Sequence, residues 1–154
     1  MKKNAIGWLI VSVFLGIVLL SAGTYVSSVF RSVQKAKAAR AVILRTDRAV
    51  LLSACREMIA NRENYRNDWP SSWGLDKDDR AMQRDMGGYG TNVPGVIRDM
   101  EPLHIAVGRH RVLVYVHGPP RTGFIGYTEG NDELDMLQRT HTTMLTNGLW
   151  MFTH

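Results

Sequence analysis

Residues 5–30 read AIGWLIVSVFLGIVLLSAGTYVSSVF, an uninterrupted run without a single charged side chain. Of these 26 residues, fourteen are Leu, Ile, Val or Phe. As a helix the run is about 39 Å long at roughly 1.5 Å per residue. A bilayer's hydrocarbon core is about 30 Å thick, so the run is long enough to cross it with some tilt. Trp8 and Tyr25 stand near its two ends, where amphipathic rings favour the membrane interface. The expectation is one transmembrane anchor over residues 1–30. A cleaved leader is the competing reading. Lys2 and Lys3 would form its basic head, Ile6–Leu20 its apolar core, and Ser21-Ala22-Gly23 a small-residue site before Thr24. The apolar residues continue through Val26, Val29 and Phe30, further than a leader requires, and this favours the anchor. Ser12, Gly16 and Gly23 are spaced so that small residues recur along one side, a pattern that lets two membrane helices approach.

Outward from the run, the charge is uneven. The chain of 154 residues carries a formal net charge of +5. Residues 31–66 hold nine Lys/Arg against three Asp/Glu, and residues 67–154 hold eight against eleven. Cations crowding the end of an apolar run are a membrane pattern, which argues against a nucleic-acid partner. By the positive-inside rule, Arg31, Lys35, Lys37, Arg40, Arg45 and Arg48 place that flank in the cytoplasm, whereas the short basic tail of Lys2 and Lys3 also fits a signal-anchor of the opposite orientation. One cysteine, Cys55, excludes an intrachain disulfide and reads as a small buried apolar residue.

From Arg31 to Trp69 there is neither Pro nor Gly, and the stretch is rich in helix formers. Leu44, Leu51, Cys55, Met58 and Ile59 recur at helical spacings. This predicts a basic amphipathic stalk helix over 31–68, stopped by Asn64, Asn67, Asp68 and Pro70. With the small residues of the anchor, Leu44, Leu51 and Met58 are candidate helix–helix contacts.

The third segment, 69–154, is expected to form a small α+β head. Residues 71–100 read as an irregular polar connector. Asp76, Asp78 and Asp79 lack the Gly and Glu that a calcium loop needs at its sixth and twelfth positions. Gly87-Gly88-Tyr89-Gly90 has no following Lys-Ser/Thr and is a turn cluster rather than a phosphate loop. From Leu103 the period becomes two: Leu103, Ile105 and Val107 answer Val112 and Val114 across a turn at Gly108-Arg109. That register pairs Leu103 with Val114 and Ile105 with Val112, and it brings His104 and His117 to one face. Phe124–Thr128 and Gly148–Phe152 are further strands. Asn131 is placed to cap a helix carrying Leu134, Leu137 and Met144. No third ligand stands at a telling spacing from His104 and His117, and Ser71, Ser72, Glu101 and Glu129 fit no catalytic motif. No cofactor, metal or catalytic residue is therefore expected.

A long N-terminal helix, half apolar and half packed on a small β-rich head, resembles the layout of type IV pilins and pseudopilins. Val33-Gln34-Lys35-Ala36-Lys37-Ala38-Ala39-Arg40 is similar to the segment just after their membrane part. Asn64-Tyr65-Arg66-Asn67-Asp68-Trp69-Pro70 is similar to the exit from their long helix. The resemblance covers about residues 5–70. It departs from the family after Gly7, where the fifth residue is Ser12 and not the Glu of a pilin. It implies a non-enzymatic, single-pass structural or assembly component of a bacterial inner membrane, with the head outside the cytoplasm and partners in the lipid bilayer and in other protein chains. The alternative is a membrane-tethered ligand-binding or sensory head, which would carry a pocket on the hairpin face.

Overall fold

Good helix formers and the absence of proline carry the first helix, α1, from Lys2 to Arg45 in the computed structural model. The structure describes residues 2–66, 80–84, 89–118, 121–128 and 141–153. The chain divides into two units, Met1–Gln34 and Lys35–His154, and the division falls inside α1. In the first unit the described large apolar side chains are exposed: Phe14 is 69% exposed, Leu20 73% and Tyr25 72%.

The stalk expected as one helix over 31–68 is two. Helix α2 spans Arg48–Ala60, and a 3-10 turn follows at Arg62–Asn64. The break lies at Thr46-Asp47, with no Pro or Gly to announce it. Asp47 leaves the helical region (φ −59°, ψ 122°), and its carboxylate accepts from the backbone N–H of Ala49 at 2.8 Å and of Val50 at 3.2 Å. An Asp side chain offers the backbone this alternative to a continued helix. The Thr46 hydroxyl meanwhile donates to Val42 O at 2.8 Å. Asp47→Ala removes the cap and is expected to cost about 1 kcal/mol, read as a lower urea midpoint at an unchanged slope. An unchanged midpoint would show that packing alone holds the start of α2.

Six strands form one antiparallel sheet: β1 (Arg80–Gln83), β2 (His104–Val107), β3 (Arg111–His117), β4 (Thr122–Tyr127), β5 (His141–Thr146) and β6 (Leu149–Thr153), in the order β1-β2-β3-β4-β6-β5. A short helix, α3 (Gly95–Arg98), lies between β1 and β2. The class is α+β, as expected. The hairpin register is two residues from expectation: Ile105 pairs with Val114 and Val107 with Val112. The turn is at Arg109-His110, both exposed, closed by the Gly108 N–H donating to Arg111 O at 2.8 Å. A shift of two preserves the faces, so Ile105, Val107, Val112 and Val114 are all fully buried on one side while Leu103 falls outside the pairing.

Helix α2 supplies the cover for that side. Leu51, Ala54, Cys55, Met58 and Ile59 are its buried residues, three and four apart as a one-sided helix requires. They join Ile43, Ile97, Phe124, Leu149 and Met151 in the main core. Gly126 of β4 makes this close approach feasible: a Cβ there would stand 2.5 Å from Cys55 Cβ and 2.6 Å from its Sγ.

Two further expectations need correction. β1 lies within the stretch read as irregular connector. Met144, assigned to a helix, sits in β5 and is 56% exposed. His141–Thr146 is HTTMLT, and three Thr favour a strand over a helix. Residues Asn131–Arg139, where that helix would begin, lie outside the described residues. So do the Asp76–Asp79 cluster, Gly87-Gly88, Ser71, Ser72 and Glu129.

Candidate functional site

The other side of the sheet carries a row of rings. β2, β3, β4 and β6 set His104, Tyr115, Gly123 and Phe152 side by side as direct cross-strand partners. The rings of His104 and Tyr115 are 4.2 Å apart and tilted by 38°, and Tyr115 meets Phe152 edge-on at 5.1 Å. Tyr115 and Phe152 belong to strands on either side of β4, and they meet because Gly123 between them has no side chain. A Cβ on Gly123 would strike Val114 O of the paired strand, and it would come within 2.6 Å of the Phe152 ring. Rings closing over a strand glycine recover the packing that the glycine lacks. Ile125, Tyr127 and Phe152 are buried on this side, with Leu113, Tyr115 and Trp150 packed against them.

Burial is the main reason that His104 titrates low, down to about 4, and the Arg121 charge acts in the same direction. Burial likewise pushes the Tyr115 hydroxyl up, although Arg121 opposes it. His104 is thus neutral in the folded protein at neutral pH. In the unfolded chain it takes up a proton near pH 6.5. A base depressed by folding stabilises fully above its unfolded value and loses that stabilisation as the pH falls towards 4. Allowing for its partial exposure, the loss is about 1–2 kcal/mol. Melting temperatures at pH 7 and pH 4.5 are expected to lie closer together in His104→Leu than in the parent. An identical gap in both would place the acid sensitivity elsewhere.

His104 lies directly opposite Tyr115 and His117 opposite Thr122, with an irregularity in β3 between Tyr115 and His117. Among the described residues no three His, Cys, Asp or Glu side chains gather as metal ligands would. Burial drives the Cys55 thiol up to about 12, which makes it a poor nucleophile. Glu101 is exposed and pairs with Arg84 at 3.3 Å. A recess of about 220 Å³ is lined by Tyr65, Met82, Tyr89, Asn92 and Val93, away from the ring row. A second, more open recess of about 480 Å³ is lined by Val50, Ser53, Glu57, Pro94 and Val96, within the roughly 300–1,000 Å³ of small-molecule pockets.

The candidate helix–helix contacts separate into two sets. Ser12, Gly16 and Gly23 fall within about 40° of one another around α1 at 3.6 residues per turn. Nothing stands within 4 Å of where a Cβ would be on Gly16 or Gly23. Leu44 is 43% exposed, near the end of α1. Leu51 and Met58 are fully buried in the core of their own chain, so their helix–helix role is replaced by helix–sheet packing. The ring row lay beyond sequence reasoning, although the spacing Thr122-Gly123-Phe124-Ile125-Gly126-Tyr127 held its signal: each glycine opens one face of β4. No protein-family model matches the chain, and no curated protein or solved structure matches it either.

Proposed function

We propose that this chain is a non-catalytic, single-pass structural or assembly component of pilin-like layout, anchored in a bacterial inner membrane by α1 with its head on the extracytoplasmic side. One observation carries the reading. The helix is long and apolar enough to cross a membrane from Ser12 onward, and none of its apolar window is buried inside the protein. Apolar surface of that extent is stable only against lipid or against other chains. The head adds support as a scaffold: its single thiol is buried and its central histidine is spent in a stack of rings. Assembly would run through Ser12, Gly16 and Gly23 in the anchor and through Leu44.

The test is to express the 154-residue chain in a bacterium, wash the membranes with alkaline carbonate and weigh the retained protein intact. A mass near 17.3 kDa in the pellet is the expected result. Loss of residues 1–23 would make this an exported protein and remove the anchor from the proposal. Loss of residues 1–7 would point to pilin-type processing despite Ser12. Protease added to spheroplasts should then digest the head; full protection would place it in the cytoplasm.

A further inference from the structure

After Phe30 the next five charged residues are all cations: Arg31, Lys35, Lys37, Arg40 and Arg45, with no acid before Asp47. Lys35, Lys37, Arg40 and Arg45 lie on the last part of α1, and all four are exposed. None of the described ion pairs involves them. The side of this segment that turns to its own head is different: Ala36, Ala39 and Ile43 are buried there. At 3.6 residues per turn these three span about 60°, whereas the four cations share the remaining circumference. The helix thus keeps small apolar side chains inward and bare cations around the rest.

Height along the helix ranks them. With about 1.5 Å per residue counted from Phe30, Lys35 stands roughly 8 Å beyond the apolar run, Lys37 roughly 11 Å, Arg40 roughly 15 Å and Arg45 roughly 23 Å. Helical side chains lean back towards the N-terminus, so the long Lys and Arg stems reach towards the apolar run and not away from it. The field of a charged bilayer surface fades over about 8 Å at physiological salt. The first two cations therefore lie within its reach, Arg40 lies at its margin, and Arg45 lies beyond it.

We propose that Lys35, Lys37 and Arg40 form a collar that binds the phosphate headgroups of anionic phospholipids in the leaflet from which α1 emerges. This rests on the anchored reading given above and adds the lipid class to it. Each cation near an anionic surface strengthens association roughly fivefold, so the collar selects lipid by charge rather than by shape. Its position along the chain supplies the complementarity: the cations begin where the uncharged run ends. The basic stretch also sets the depth of the anchor, because sinking it by one turn, about 5.4 Å, would pull Arg31, which follows Phe30 directly, into hydrocarbon and bring Lys35 to its edge.

The test uses the full chain reconstituted into two kinds of vesicle, phosphatidylcholine alone and phosphatidylcholine with about one-third phosphatidylglycerol, a composition chosen to give a strong surface charge. Acylation of each lysine by an amine-reactive ester is followed by mass spectrometry. Lys35 and Lys37 are expected to react several-fold more slowly in the anionic vesicles and to recover in 0.5 M salt, roughly where the screening length falls below 5 Å. Lys77 serves as the reference. In neutral vesicles, 10 mM inorganic phosphate, a concentration on the order of a buffer, should give no protection, since the ligand is a lipid surface and not a free anion. Enrichment of spin-labelled phosphatidylglycerol around the chain should fall in K35Q/K37Q/R40Q and stay unchanged in R45Q. Equal lysine reactivity in both vesicles, with the protein still resisting carbonate extraction, overturns the collar and leaves the anchor standing. Protection by inorganic phosphate, or an R45Q effect equal to that of the triple variant, overturns it as well. Release of the protein by carbonate would instead overturn the anchored reading itself.

Discussion

Gly126→Val leaves the head unfolded under conditions in which the parent is folded: that is the largest effect expected of a single substitution. Gly126 is paired with Val112 on one side and Leu149 on the other, so the strand cannot slide to make room. Directly over it stands Cys55, and an added Cβ would lie 2.5 Å from the Cys55 Cβ. Neither atom is the loose end of a side chain, so α2 as a whole must lift. Lifting it withdraws Leu51 and Met58, both fully buried, from the core. Overpacking a core typically costs about 1–3 kcal/mol, and Gly126→Ala should fall at the upper end of that range. Valine adds two methyl groups to the same collision and approaches the whole stability of a small domain, about 5 kcal/mol at the low end.

The Cys55 thiol reports the outcome directly. It is buried and titrates near 12, so a thiol reagent reaches it in the parent only when the head opens. Labelling should become fast in Gly126→Val while the far-ultraviolet sheet signal is lost. Cys55→Gly should relieve Gly126→Ala, giving a double variant that costs less than the sum of the two. Strict additivity would show that α2 does not rest on β4 at this point.

The second large effect concerns the anchor. Leu15 and Leu19 are one helical turn apart and both exposed on α1. On insertion scales a central Leu favours the bilayer by roughly 0.3–0.6 kcal/mol and an Arg opposes it by roughly 2.5–3.5 kcal/mol. Replacing both with Arg therefore removes about 6–8 kcal/mol, more than the other twelve apolar residues of the run readily offset. The double variant should leave the carbonate-washed pellet, while Leu15→Ala/Leu19→Ala remains in it. If the Arg variant stayed in the pellet, something other than this apolar surface would be holding the protein there.

Much of the architecture was legible because it rests on composition and period. Twenty-six uncharged residues need no neighbours to be read, and the alternation from Ile105 to Val114 survives a register error of two, since the faces repeat every second residue. What escaped depends on single side chains meeting partners far along the chain. Asp47 splits the stalk through two hydrogen bonds to its own backbone, a local competition that helix propensity does not record. The ring row needed β4 to be flanked by both β3 and β6, a neighbourhood that only the strand order reveals. Asn147-Gly148 was a turn signal in plain view, and Gly148 adopts φ +83° between β5 and β6. Carrying a helix on to Met144 overrode it, whereas the three Thr of His141–Thr146 favour a strand.

The placement of α2 ahead of every strand has a consequence during synthesis. Its apolar side is finished once Ile59 leaves the ribosome, yet the surface it needs is shared by Val112, Phe124 and, last of all, Met151. About 90 residues separate Ile59 from Met151, and at roughly 5–20 residues per second the wait is about 5–20 s. Throughout that interval Leu51 and Met58 have no sheet to rest on, and they follow close behind a segment long and apolar enough to cross a bilayer. The chain's most exposed moment is therefore built into the order of its elements, and slowing translation between β4 and β6 should lengthen it and lower the yield of folded head.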